Sequence, residues 1–532
     1  MGRESFLKGA FILALAGLVS RSLGAVYRIF LTRLVHTEAM GLFSMAYSIY
    51  SVILGLSAVG IPIAISKLVA EKGAEKDARG MMRVFRLAAV LLASSGLVFS
   101  VLLFLAAGFL SEHVYQDPRA VYSLRAIAPA IFFVSVMAAF RGFFQGLQRM
   151  TPTAASQIIE QVVRVVTMFV LAYLLLPRGL EFAAAGATFG ATTGGIAGLT
   201  FILVVFLRYR FSQERPAGTQ DSTGQDSVGA VFKRLFTLAI PISLAAIVLP
   251  IMSFIDSTIV PLRLQAAGYG VREATNLYGQ LANIAFPLVN MPTIVTVALA
   301  VSLVPAVSEA LVSRNYGLIR SRATAALRVT FIFALPAAAG LYLLAVPISD
   351  LLYDIPEGGF PLAALAPGMF FLALQQTSSG VLQGLGRSDI PVKNLLLGAA
   401  WKLAFTWVLT AVPRFGIQGA ALASTIGFGL AAGLNLRAVY QLVGMGFSIV
   451  DMLWKPLLAT GVMGVVARGT HYFLGFQASA SLATLFAILA AALAYGLVLL
   501  LIGGIRSRDL EMIPKAGEKI AKVLGKAGLL KK

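Results

Sequence analysis

The chain contains no cysteine, which excludes disulfides, thiolate metal sites and a cysteine nucleophile. Histidine is almost as scarce: His36, His113 and His471 stand far apart, near or in loops, without metal-ligand spacing. No phosphate-binding P-loop, nucleophile elbow or dinucleotide fingerprint occurs. Charge is thin as well. Asp, Glu, Lys and Arg make up 12% of the 532 residues, about half the share found in soluble domains. Acidic residues are the rarer sign, 23 against 43 basic ones. These gaps point away from chemistry: no catalytic residue, cofactor or metal is expected, and the chain reads as a non-enzyme.

What fills the space is apolar. Hydrophobic residues reach 58% and mean hydropathy is +0.86, the composition of a polytopic membrane protein. Segments of about 20 apolar residues can cross a bilayer, and roughly fourteen occur, the first near 8–31 and the second near 40–66. The opening Met1 to Lys8 has the charge of a signal-peptide start, yet no cleavage site follows, so the first segment reads as retained. A net charge of +20 would suggest nucleic acid in a soluble protein, but membrane orientation explains it here. Lys67, Lys72, Lys76, Arg79, Arg83 and Arg86 crowd one connection, whereas 111–117 and 350–357, on the opposite side, hold no Lys or Arg. The basic connections, and both termini of an even-numbered bundle, then lie in the cytoplasm. No nucleic-acid partner is expected.

The chain also repeats itself. Ala126-Ile127-Ala128-Pro129-Ala130-Ile131-Phe132-Phe133 returns 238 positions later as Ala364-Leu365-Ala366-Pro367-Gly368-Met369-Phe370-Phe371. In the same register, Gly142-Phe143-Phe144-Gln145-Gly146-Leu147-Gln148-Arg149 returns as Gly380-Val381-Leu382-Gln383-Gly384-Leu385-Gly386-Arg387, and Arg164 meets Lys402. A weaker echo sets Pro62 to Ser66 against Pro305 to Ser308. Two copies of one apolar unit indicate two lobes around a cavity, the architecture of a transporter. The expected fold is an all-α polytopic membrane protein with about fourteen transmembrane helices. It divides into an N-terminal lobe of six (1–207), a cytoplasmic linker (208–231), a second lobe of six (232–443), two further helices (444–504) and a basic tail (505–532). Six being even, the repeat is parallel, with a pseudo-two-fold axis along the membrane normal. In the tail, Lys515, Lys519, Lys522 and Lys526 fall at helical spacing, with Ile520, Val523, Leu524 and Ala527 on another face. That pattern suits a helix lying on anionic membrane lipids.

Charged side chains inside spanning segments are costly and usually face a wet interior. Gly17, Arg21, Gly24 and Arg28 form one helix stripe, at i, i+4, i+7 and i+11. Its glycines are expected to permit close backbone approach. The two arginines stand about 10 Å apart along the axis. No carboxylate follows them before Glu38, so they suit a multivalent anion such as a phosphate group, held in bidentate fashion. Snorkelling to headgroups is the alternative, and it is the reading adopted for Arg33. Glu160 and Arg164, four apart, can form an internal ion pair. That pair is either structural, or Arg164 joins Lys402 as a substrate-binding cation. Asp256 could hold a coupling cation, counter a first-helix arginine or serve as a plain structural partner. Arg141 is expected to mark the cytoplasmic boundary, and the repeated Gln-Gly-Leu-x-Arg element reads as a conformational corner.

These residues resemble a known family. Gly17-Leu18-Val19-Ser20-Arg21-Ser22-Leu23-Gly24-Ala25-Val26-Tyr27-Arg28, Gly41 to Tyr50, Gly60 to Lys67 and both Gln-Gly-Leu-x-Arg copies are similar to the multidrug/oligosaccharidyl-lipid/polysaccharide (MOP) exporter superfamily. Within it, polysaccharide biosynthesis proteins of the stage V sporulation protein B type, related to MurJ-type flippases, show the nearest likeness. The resemblance covers nearly the whole chain. It implies a flippase of the bacterial cytoplasmic membrane. Its cargo would be an undecaprenyl-pyrophosphate-linked saccharide, above all lipid II, the peptidoglycan precursor. It also implies that first-helix arginines, here Arg21 and Arg28, line the cavity, and that the last two helices offer a groove for the lipid tail. Charged residues used by MurJ-type proteins in the second and eighth helices have no counterpart here. The chain is expected to act as a monomer, with Na+ or H+ as coupling ion.

Two other classes stay open. A cation-coupled multidrug exporter of the same fold would rely on Glu160 and Asp256, against a cationic first helix. A membrane glycan polymerase would need an acid in a large outer loop, and the outer loops are short.

Overall fold

A computed structural model describes residues 6–212, 227–444, 450–476 and 479–504, and no strand occurs among them. The tail 505–532 and the middle of the linker, 213–226, lie outside the described residues. Two compact units divide the chain. The first takes Met1–Leu262 and Tyr269–Gly279, the second Arg263–Gly268 and Gln280–Lys532. In the first run α1 (Phe6–Leu54), α2 (Gly60–Ala74), α3 (Ala78–Phe109), α4 (Ala120–Gly146), α5 (Met150–Leu175), α6 (Leu180–Ser212), α7 (Val228–Ala266) and α8 (Val271–Gln280). In the second run α9 (Phe286–Asn290), α10 (Thr293–Val312), α11 (Tyr316–Leu343), α12 (Ala345–Tyr353), α13 (Gly359–Gly384), α14 (Asp389–Leu409), α15 (Gly416–Val443), α16 (Lys455–Gly475) and α17 (Ala480–Leu501). Most of α7 packs with the first unit, although it opens the second sequence copy.

Eleven stretches among the described residues are long and apolar enough to cross a membrane. α1 turns at His36 (φ 60°, ψ 170°), so its limb before the turn, 6–35, is a crossing separate from the limb after it. The turn between the first two segments is thus a single residue, tighter than the connection expected near 32–39. Lys393 and Lys402 in α14, and Lys455, Arg468 and His471 in α16, dilute two further helices below that composition. Counting these gives the fourteen segments expected from hydropathy. The protein is a multi-pass helical membrane protein.

The duplication is built into the backbone. Lys76, Gln116 and Gln148 have left-handed φ of 58°, 53° and 56°, and 238 positions later Arg314, Asp354 and Gly386 have 52°, 60° and 75°. Asp77 caps α3 by accepting from Gly80 N, and Asn315 caps α11 by accepting from Leu318 N. Helix contacts repeat as well. A Cβ placed on Gly142 would stand 2.6 Å from Pro62 O, and one on Gly380 2.6 Å from Ala300 O. This register pairs Pro62 with Ala300, which corrects the weaker echo between Pro62 and Pro305. Prolines recur there by composition, whereas the glycine crossing fixes the true alignment. Helix association in lipid relies on such close approach. Gly142→Ala and Gly380→Ala should therefore each cost about 1–3 kcal/mol by overpacking. Heating in detergent while following the monodisperse peak checks this; two variants as stable as wild type would refute it.

Candidate functional site

The first limb of α1 carries the arginine stripe. A Cβ on Gly17 or Gly24 would meet nothing within 4 Å among the described residues. The expected close backbone approach at these glycines is therefore corrected. Small residues leave open space beside the stripe instead of admitting another helix. The side chain of Arg21 lies outside the described residues. Arg28 is partly buried, next to the buried Tyr27, and its Nε is buried with no hydrogen-bond partner among the described residues. A buried donor left unmade costs about 1–3 kcal/mol, so a cation in this state is poised for an acceptor. Arg33 is exposed.

Deeper in the first unit, α5 places Glu160 between two guanidiniums. Arg164 Nη2 pairs with Glu160 Oε1, and Arg141 Nη2 from α4 pairs with Glu160 Oε2 at 2.9 Å. Arg141 Nε also donates to Ser156 Oγ at 2.9 Å, and Arg164 Nη1 to Tyr47 Oη at 3.4 Å. Arg141 thus belongs to this network, with its side chain 16% exposed. One carboxylate faces two cations, and the region stays net positive. Tyr50 Oη, Arg164 Nε and Gln157 Oε1 add buried polar atoms without partners among the described residues.

The second unit carries an altered copy. From α6 to α15 the offset is 233: a Cβ on Gly194 would meet Glu160 O and Arg164 Cβ, and one on Gly427 would meet Gly398 O and Lys402 Cβ. Lys402 thus occupies the position of Arg164, and Gly398 that of Glu160. Lys402 is 6% exposed, with its Nζ 5.4 Å from the Phe286 ring centre. Where the first unit has Arg141 and Ser156, the second has Ser379 and Asn394, joined through Asn435 by amide hydrogen bonds of 2.8 and 3.0 Å. One half holds an ion network and its copy a neutral one.

The profile of the polysaccharide biosynthesis protein family matches residues 6–311. The chain belongs to that family. A MatE profile also matches residues 281–408. Stage V sporulation protein B of Bacillus subtilis (strain 168) is 29% identical over 98% of this chain and 100% of its own length. Lipid II flippase MurJ of the same strain is 26% identical, over 89% of this chain and 90% of its own. A solved inward-facing multidrug resistance MATE family transporter of the MOP superfamily superposes with a TM-score of 0.66 at 14% identity. That match covers 82% of this chain and 98% of the other, and at such identity it shows the fold alone. This polysaccharide biosynthesis family protein shares the fold of that MATE transporter.

Sequence reasoning missed Arg141 as a member of the site. The available signal was Ser156, Glu160 and Arg164 on one face of a helix that begins just after an arginine-bearing helix end.

Proposed function

We propose that the protein flips an undecaprenyl-pyrophosphate-linked saccharide, lipid II, across the bacterial cytoplasmic membrane by alternating access, with both termini in the cytoplasm. The observation that carries this reading is Arg28 on a stripe open at Gly17 and Gly24, its Nε buried and unpartnered among the described residues. A guanidinium matches phosphate oxygens in bidentate geometry, and a pyrophosphate offers several. We assign Lys402 and Arg164, the latter paired with Glu160, to substrate binding as well. The similarity to lipid II flippase MurJ supports the choice of cargo. The membrane potential, worth about 2.3 kcal/mol per charge at 100 mV, can drive a charged headgroup outward, with Na+ or H+ as coupling ion.

Reconstituted vesicles test it directly: purified lipid II should be flipped, and a competing polyprenyl-linked glycan of different sugar should be flipped more slowly. No lipid II movement under a potential would refute the reading. Lys402→Gln should slow flipping about tenfold, the loss of about one charge-assisted contact, and an unchanged rate would remove Lys402 from the site.

The second reading is a cation-coupled multidrug exporter of the same fold, with Glu160 and Asp256 as its membrane carboxylates. A drug-accumulation assay in cells lacking other pumps separates the two, since a flippase leaves accumulation unchanged.

A further inference from the structure

Just past the turn at His36, residues 37–41 of α1 cross the later turns of α8 within the first unit. A Cβ on Gly41 would fall 2.3 Å from Thr275 O, and one on Gly279 1.8 Å from Thr37 O. Glycine alone allows this approach. Side chains tie the crossing together. Thr37 Oγ1 hydrogen bonds to Asn276 Oδ1. Thr275 Oγ1 donates to Asp117 Oδ2 at 2.8 Å. Arg119 donates to both Asp117 oxygens, from Nη2 at 2.8 Å and from Nε at 3.0 Å, and its Nη1 reaches Glu38. Asp117 is 1% exposed and Thr275 is fully buried. Burial opposes the Arg119 charge, but hydrogen bonds to Asp117 and Glu38 outweigh it and raise its pKa above the ordinary value. Arg119 stays cationic at any physiological pH.

Two observations separate this knot from ordinary packing. The repeated loop in the second unit keeps the buried tyrosine (Tyr115, Tyr353) and the left-handed residue (Gln116, Asp354) at the same offset. Yet it carries Ile355 and Glu357 where the first loop has Asp117 and Arg119. The fold of this loop does not require the ion pair. Immediately after Gly279 the helix loosens into a π-turn over Leu281–Ala285, followed by Pro287, and the boundary between the compact units falls at the same place. Such π-turns concentrate at functional positions.

We infer that Arg119, Asp117 and Glu38 form a latch that fastens the later turns of α8 to the elbow of α1, and that the latch opens once per transport cycle, with Leu281–Ala285 as its hinge. The inference rests on the alternating-access reading. Arg119 acts as a positioning residue, through Asp117 and Glu38, and touches no cargo.

The natural absence of cysteine makes the test clean. In vesicles, Thr37→Cys/Asn276→Cys joined by oxidation or a short bismaleimide should lose lipid II flipping. Reduction of the oxidised pair should restore it, and each single variant should flip as wild type. A joined protein that flips at the wild-type rate overturns the latch, and so does a pair that cannot be joined. A second arm needs no transport. Maleimide should label Thr275→Cys about tenfold faster when Arg119→Gln is added, because the charge-assisted tie that closes the crossing is gone. An unchanged labelling rate overturns the latch too. If wild-type vesicles flip nothing, the transport reading falls, and the labelling arm still decides whether Arg119 holds the crossing.

Discussion

Arg28→Gln should abolish lipid II flipping while leaving the protein folded and monodisperse. Arg28 Nε is already buried without a partner among the described residues, and the guanidinium touches Tyr27, so its removal costs the fold little. Substitution relieves an unmade hydrogen bond, and thermal stability should hold or rise slightly. The cargo, by contrast, loses a charge-assisted grip worth about 1.5–3 kcal/mol, an affinity loss of about 10- to 150-fold. Arg28→Lys should recover part of the binding, because an ammonium restores charge without the bidentate fork. Flipping in vesicles, paired with a melting curve for each variant, checks the prediction. A folded Arg28→Gln protein that flips normally would remove Arg28 from the site.

Glu160→Gln should behave in the opposite way and damage the fold first. Its carboxylate is shared by Arg141 and Arg164, whose side chains are 16% and 12% exposed. Breaking a buried pair from one side leaves an uncompensated charge, at a cost of about 3–5 kcal/mol. Here two cations lose the same partner. The second unit suggests the remedy, since it has Ser379 at the position of Arg141 and a glycine at that of Glu160. Glu160→Gln/Arg141→Ser should therefore recover much of the lost stability, a coupling that a double-mutant cycle reads directly. Melting temperatures for the two singles and the double settle it. Additive losses would show that the three charges do not act as one network.

Much of this architecture was legible because apolar runs and glycine motifs act locally. The fourteen segments follow from run length, and the 238-residue register follows from the Gln-Gly-Leu-x-Arg copies, whose glycines meet the neighbouring backbone in both units. The register change to 233 between α6 and α15 was not legible, because Gly186 and Gly194 match Gly419 and Gly427 only through the helices they touch. Spacing alone predicts the Glu160–Arg164 pair, four residues apart on one helix. Arg141 joins it from 19 residues away across a turn, which no periodicity encodes. Gly17 and Gly24 show the same limit: a glycine reads identically in sequence whether a neighbour presses on it or open space lies beside it. The Arg119 latch depends on contacts up to 239 residues apart, between Thr37 and Asn276, and only folding brings them together.

The most direct measurement is native mass spectrometry of the purified protein titrated with lipid II, wild type beside Arg28→Gln. A one-to-one adduct that survives in the wild type and disappears in the variant, while both spectra show folded protein, is the predicted result. Equal adduct occupancy in the two proteins would contradict the account.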